Sequence, residues 1–216
     1  MSRFSAWVFD LDNTLYPVAD IYDEIGARMT AYIARTLAVD QAEALALRER
    51  YFHQYGATVA GLAEHHGVDA HDFLADVHDA DYSVLSPDAD LASLIAALPG
   101  RRIIFTNGGG GHAERALARL GLAEAFDAIV DIETCGLTPK PQREAYERLI
   151  AQCALDPRQT LLIEDTLRNL EPAYALGFTT ALVGQVHPEP RPAYVDYWAR
   201  DVKELLRDLT SIQPNA

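Results

Sequence analysis

Four groups of polar residues along this chain are of the kinds that handle phosphate together with a divalent cation. Asp10 and Asp12 stand two residues apart, with Asn13 and Thr14 directly after them. Thr106-Asn107-Gly108 offers a hydroxyl, an amide and unhindered backbone N–H groups. Lys140 lies between Pro139 and Pro141, whose rings restrict the backbone on either side of it. Glu164-Asp165-Thr166 supplies a second acidic pair. Crowding carboxylates costs energy unless a proton or a cation sits between them. Oxygen ligands suit Mg²⁺, which binds through one or two carboxylates plus the phosphate and keeps several waters. Each group alone has a plainer reading: an acidic solvated turn, a strand end, a lysine at a helix start. In this order along one chain they are the parts of Mg²⁺-dependent phosphoryl chemistry.

The elements between these groups explain how they could meet. Ala6 to Phe9 is a short apolar run that fits a buried strand, and Asp10 follows its end. Further strands are expected over 102–106, 128–131, 160–164 and 179–183, with an edge strand over 195–198. Helices are expected over 91–98, 112–120, 142–153, 167–176 and 201–209, with Gly121 and Gly177 as stops. Residues 185–192 are proline-rich and read as an irregular loop. Strands alternating with helices predict a parallel sheet covered on both faces, with ligands just beyond the strands' carboxyl ends.

Residues 16–82 break the alternation. Ile21, Ile25, Met29, Tyr32 or Ile33, and Leu37 repeat at helical spacing, with Asp20 placed to cap the helix. Asp40 to Glu43 has capping-box spacing and opens a helix to about Tyr55. Gly56 and Gly61 are expected to flank a short third segment, and Asp69 to cap a fourth carrying Phe73, Leu74 and Val77. The expectation is an all-helical block inserted straight after the first strand.

The 216 residues suffice for a sizeable core, and 49% hydrophobic composition is ordinary for a folded chain. A formal net charge of −14 argues against nucleic acid or an anionic membrane as partner. A phosphorylated substrate would therefore need a local positive centre. There is no apolar run of about 18 residues and no basic, apolar leader, so a soluble cytoplasmic protein is expected. Cys135 and Cys153 are isolated and read as free thiols. Oligomeric state is left open.

The four groups resemble the motifs of the haloacid dehalogenase-like hydrolase superfamily: Asp10-Leu11-Asp12-Asn13-Thr14, Thr106-Asn107, Lys140 and Glu164-Asp165. Residues 9–17 and 55–62 look like its pyrimidine 5′-nucleotidase-type branch. The resemblance implies an α/β fold with a Rossmann-like parallel core (1–16 and 83–216) and a helical cap domain (17–82) closing over the site, with hinges near Pro17 and Ser86-Pro87. It implies Asp10 as nucleophile and Asp12 as general acid, then base. Thr106, Asn107 and Gly108 would bind phosphate, and Lys140 would offset its charge. Mg²⁺ would be held by Asp10, the Asp12 carbonyl and Asp165, with Glu164 as a further or outer ligand. Many relatives have aspartate where Glu164 stands, and the longer side chain favours contact through water. The implied substrate is a small phosphorylated metabolite, foremost a pyrimidine nucleoside 5′-monophosphate; a broad or sugar-phosphate phosphatase is the alternative.

Two competing readings come from the same residues. Gly108 to Ala113 fits a G-x-G-x-x-A loop between strand and helix, with Asp131 at about the distance of a ribose contact, so a dinucleotide module competes on that stretch. A carbon–halogen hydrolase would not need an acid at Asp12, because halide leaves unprotonated. His53, His65, His66, His71 and His78 lack the spacing of a zinc hydrolase and read as solvated helix residues, with His53 or Tyr55 able to touch substrate.

Overall fold

The computed structural model describes residues 3–17, 19–184, 186 and 189–211. Among these residues six strands form one sheet: β1 (Ala6–Phe9), β2 (Arg101–Phe105), β3 (Ala128–Val130), β4 (Thr160–Glu164), β5 (Thr179–Val183) and β6 (Tyr197–Ala199). Their order is β3-β2-β1-β4-β5-β6, and every pair is parallel. Alternation along the strands divides the apolar side chains between two faces. Trp7, Phe9, Ile104, Ile163 and Val183 pack with helices α5 (Ala89–Ala96), α6 (Gly110–Leu120) and α9 (Val202–Ser211). Val8, Ile103, Phe105, Leu162 and Leu182 pack with α7 (Arg143–Cys153) and α8 (Leu167–Ala175) on the other. Each such side chain contributes about 1.5–3 kcal/mol by leaving water. The doubly wound sheet is the α/β fold expected.

Between β1 and β2 the chain forms α1 (Ala19–Leu37), α2 (Gln41–Tyr55), α3 (Thr58–His66) and α4 (Ala70–Val77). These helices have an apolar cluster of their own, centred on Ile33, Leu47, Leu62, Phe73 and Val77. Asp40 and Asp69 accept the backbone N–H groups of Glu43 and Asp72, each at 2.9 Å, as N-caps should. Asp20, by contrast, lies one residue inside α1 rather than ahead of it. Gly61 does not flank α3 but sits within it, because the Tyr51 ring crosses there: a Cβ on Gly61 would lie 2.4 Å from that ring. The edge strand β6 starts at Tyr197, two residues later than its pattern suggests.

The register carries the functional consequence. Phe9 pairs with Ile104 on one side and Ile163 on the other. The residues after β1 and β2 and the last of β4, namely Asp10, Thr106 and Glu164, therefore end side by side under the helical insert.

Candidate active site

A cleft of about 660 Å³ opens between the sheet's carboxyl edge and α1 and α2. Asp10, Asp12, Thr106, Asn107, Gly108, Lys140, Glu164 and Asp165 line its floor, so the structure brings the residues of the four polar groups to one cleft. Tyr22, Arg48, Phe52 and His53 line it from the insert. Tyr55 does not; its hydroxyl is engaged with His65 at 2.5 Å and Glu64 at 3.2 Å.

Lys140 organises the floor. Its Nζ donates to Asp10 Oδ1 at 2.6 Å, to Glu164 Oε2 at 2.9 Å and to the Phe105 carbonyl at 2.8 Å. Burial opposes the ammonium charge, but Asp10 and Glu164 outweigh it and raise the lysine pKa above its ordinary value. The backbone is held as well, since Lys140 N donates to Asn107 Oδ1 at 2.8 Å and its carbonyl accepts from Asn107 Nδ2 at 3.0 Å. Both ends of the Asn107 amide are thus committed to the lysine, a role its motif does not disclose. Gly56, at the end of α2, abuts the same carbonyl with φ +90°. The insert touches the core directly at the lysine.

Around Asp10, Thr14 donates to Oδ2 at 2.9 Å. Burial, with Asp165 and Asp12 nearby, pushes the Asp10 carboxyl up despite Lys140. Burial, then Asp10, does the same to Glu164. Glu164 Oε1 receives Asn169 Nδ2 at 2.9 Å and the Thr166 N–H at 3.3 Å. Asp165 is half-buried beside them and accepts the Thr166 hydroxyl at 3.1 Å. Ligand oxygens of Asp10, Glu164 and Asp165 lie within 4.8 Å of one another. Three carboxylates against one lysine leave the floor with excess negative charge, and the all-oxygen donor set fits a hard divalent cation. These residues could hold a metal ion.

Asp12 faces a different environment. Tyr16 donates its hydroxyl to Oδ1 at 2.5 Å, and His112 Nε2 lies 2.9 Å from Oδ1 and 3.1 Å from Oδ2. Burial works against the carboxylate here too, but the contacts from His112 and then Tyr16 prevail and lower its pKa. Neither Tyr16 nor His112 stands out in sequence by role; a histidine in the first turn of a helix after a glycine run is the only signal. His78 is a further departure, since it is buried and not solvated, with its ring stacked on His112 at 4.7 Å.

The glycine run is packed rather than open. Gly109 lies against Leu74 and His78, and a Cβ on Gly110 would meet Asp131 at 2.5 Å. Asp131 is buried and accepts the Thr134 N–H at 2.7 Å. Neither feature suits a dinucleotide. Cys135 and Cys153 are free and buried. No helix among the described residues is long and apolar enough to cross a membrane.

A doubly wound sheet with an aspartate pair after its first strand, a lysine and acidic pair at neighbouring edges and a helical insert describes one class of hydrolase. The chain belongs to the haloacid dehalogenase-like hydrolase family, whose model matches residues 4–177. It is 28% identical over 195 residues to (S)-2-haloacid dehalogenase of Xanthobacter autotrophicus, covering 85% of this chain and 76% of that one. It is 27% identical over 229 residues to N-acetylmuramic acid 6-phosphate phosphatase of Pseudomonas aeruginosa, covering 93% and 90%. Among solved structures, a hydrolase of this type from Bacillus subtilis, bound to magnesium, superposes with a TM-score of 0.61 at 18% identity over 96% of this chain and 99% of that one.

Proposed function

We propose that the protein is a Mg²⁺-dependent phosphomonoesterase that works through an aspartyl-phosphate, with a pyrimidine nucleoside 5′-monophosphate as its foremost substrate. The observation that carries the reaction type is the trio Asp10, Glu164 and Asp165, its ligand oxygens within 4.8 Å, with Lys140 as the cation among them. If a 2-haloacid were the substrate, halide would leave without a proton, so the first step would need no acid at Asp12. The phosphatase relative and the magnesium-bound neighbour support the same reading. The nucleotide preference rests on residues 9–17 and 55–62 alone.

When bound, Mg²⁺ would be held by Asp10, Asp165 and the Asp12 carbonyl, with Glu164 in support, and would supply charge neutralisation for the phosphoryl group. The chain's own residues do the rest. Lys140 and Thr14 fix the Asp10 carboxylate. An Asp10 oxygen bonds to phosphorus as the ester bond breaks, and the leaving oxygen takes the proton that Asp12 brings to the complex, gained against the pull of His112 and Tyr16 toward the carboxylate. Water then attacks the aspartyl-phosphate, gives a proton to Asp12 and frees Asp10. Thr106 and the backbone N–H of Asn107 would donate to phosphate oxygens, since the Asn107 side chain is spent on Lys140 and the Gly108 N–H on the Thr106 hydroxyl oxygen at 2.9 Å.

The test is a panel of UMP, CMP, purine nucleotides, sugar phosphates and 2-chloropropionate, with Mg²⁺ and with excess chelator. The expected result is phosphate release led by UMP or CMP, stopped by chelator, with no chloride release. Sugar phosphates far ahead would remove the nucleotide part only. Chloride release without phosphate release would overturn the reaction type.

A further inference from the structure

Both crossings between the sheet and the helical insert reach toward the same carboxylate. Tyr16 stands at the outgoing crossing, and its hydroxyl meets Asp12 Oδ1 at 2.5 Å. Tyr82 stands at the returning one, in the short helical turn Tyr82–Val84. Its hydroxyl lies 2.7 Å from His112 Nδ1 and 3.3 Å from the His78 carbonyl. His112, in the first turn of α6, then presents Nε2 to both Asp12 oxygens at 2.9 and 3.1 Å. Tyr16, Tyr82, His78 and His112 are all at most 6% exposed. Arg115, one turn further along α6, donates to the His78 carbonyl at 2.8 Å and lies over the Tyr82 ring.

Burying two phenols and two imidazoles costs free energy that apolar side chains would not, unless each polar atom is paired. The pairing here has a direction. The ionised Asp12 oxygens can only accept, so the imidazole proton facing them sits on Nε2, and Nδ1 is left as an acceptor for the Tyr82 hydroxyl at 2.7 Å, the shorter of that hydroxyl's two contacts. Oδ1 then receives two donors, at 2.5 and 2.9 Å, and Oδ2 only the longer contact at 3.1 Å. An oxygen with two donors already on it is a poor place for a further proton, so Oδ2 is the oxygen that carries it. A carboxylate turned a little in its socket would present the wrong oxygen to the substrate.

We propose that His112 is a positioning residue for Asp12: with Tyr16 and Tyr82, it fixes which carboxylate oxygen faces the leaving group and ties that alignment to the placement of the helical insert. The inference rests on the phosphatase reading above. In the first step the phosphorus–oxygen bond to the leaving group breaks, and its electron pair takes up the proton from Asp12 Oδ2. In the second, water returns a proton to that oxygen. The Nε2 proton of His112 stays on nitrogen throughout, so the residue aligns the acid without donating to substrate.

The experiment compares His112→Leu, His112→Gln and Tyr82→Phe on two esters in Mg²⁺: whichever of UMP and ribose 5-phosphate the wild type hydrolyses faster, and p-nitrophenyl phosphate. An alkoxide needs the acid and a nitrophenolate does not. His112→Leu should lose about 10- to 100-fold in kcat on the alkyl ester, the scale expected when a reacting group is misaligned. The phosphoenzyme burst from p-nitrophenyl phosphate should fall far less, and KM should change little. His112→Gln, whose amide nitrogen can stand near the position of Nε2, should recover much of the alkyl-ester rate. Tyr82→Phe should show a smaller loss with the same selectivity. Equal losses on both esters, or a folded His112→Gln no better than His112→Leu, would overturn the inference and leave the phosphatase reading intact. If His112→Leu does not fold, Tyr82→Phe decides alone: an unselective loss, or none, sinks it. A wild type inert on every phosphate ester would overturn the phosphatase reading and this inference together.

Discussion

At the scale of single residues, the site separates two carboxylates two positions apart by giving them different partners. Asp10 faces an ammonium and a threonine hydroxyl, and Asp12 faces a phenol and an imidazole. Their roles should separate in the same way. On the proposed assignment, Asp12→Asn keeps the nucleophile and removes the proton donor, and general acid catalysis typically contributes about 10²–10⁴-fold. That variant should lose most of its rate on UMP yet still give a burst of nitrophenol, followed by slow turnover for want of a base. Stopped-flow absorbance checks this, and loss of the burst with metal binding intact would contradict it. Lys140 makes a second residue-scale case. Lys140→Met leaves Asp10 and Glu164 buried without their cation, and breaking such a pair typically costs about 3–5 kcal/mol. Urea unfolding in chelator at pH 7 should show a loss of that order; a midpoint equal to wild type would mean the carboxyls are neutral without the lysine.

At the scale of elements, a pair of variants tests the contact between the end of α2 and Lys140. Gly56 and Gly67 both end helices at positive φ, +90° and +64°. A Cβ on Gly56 would lie 2.4 Å from the Lys140 carbonyl, whereas one on Gly67 meets nothing within 4 Å. Both substitutions to alanine should cost stability, about 1–2 kcal/mol from the left-handed backbone alone. Only Gly56→Ala should also depress kcat, because it pushes on the residue that orients Asp10. Equal activities in the two variants would show that the insert's contact with Lys140 does not matter to turnover. The same elements show what sequence can disclose. Strand ends were legible because β1 and β4 are short apolar runs that stop at carboxylates, and capped helices because Asp40 and Asp69 carry their own signal. Gly61 was not, since its need for a missing Cβ comes from the Tyr51 ring on another helix. His112, Tyr16 and Tyr82 were not legible in role either. The contacts of His112 with Asp12 and Tyr82 span 100 and 30 residues of chain, and no local spacing encodes them; Tyr16 meets Asp12 only four residues away, but four-residue spacing alone names no role.

At the scale of the whole molecule, the two crossings unite the insert with the chemistry, and a buried histidine there affects acid stability. Burial and then His112 depress the His78 pKa to about 3. As pH falls below the ordinary value of about 6.5, the unfolded chain takes up a proton at His78 that the folded protein refuses. The contribution of this residue to stability should thus fall as pH drops through that window, by about 2 kcal/mol at pH 5, while the raised Asp10 and Glu164 carboxyls contribute in the opposite sense. Compared with wild type, His78→Gln should raise the urea midpoint at pH 5 relative to that at pH 7; an unchanged relation between the two midpoints would contradict this. The central claim, that this fold delivers a phosphoryl group to Asp10, is tested most directly by trapping it. Wild-type protein mixed with p-nitrophenyl phosphate and Mg²⁺, quenched in acid within the burst and digested, should carry one phosphoryl group on the peptide containing Asp10. Asp10→Asn should carry none and release no phosphate. A phosphoryl group on another residue, or phosphate release that persists in Asp10→Asn, would contradict the account.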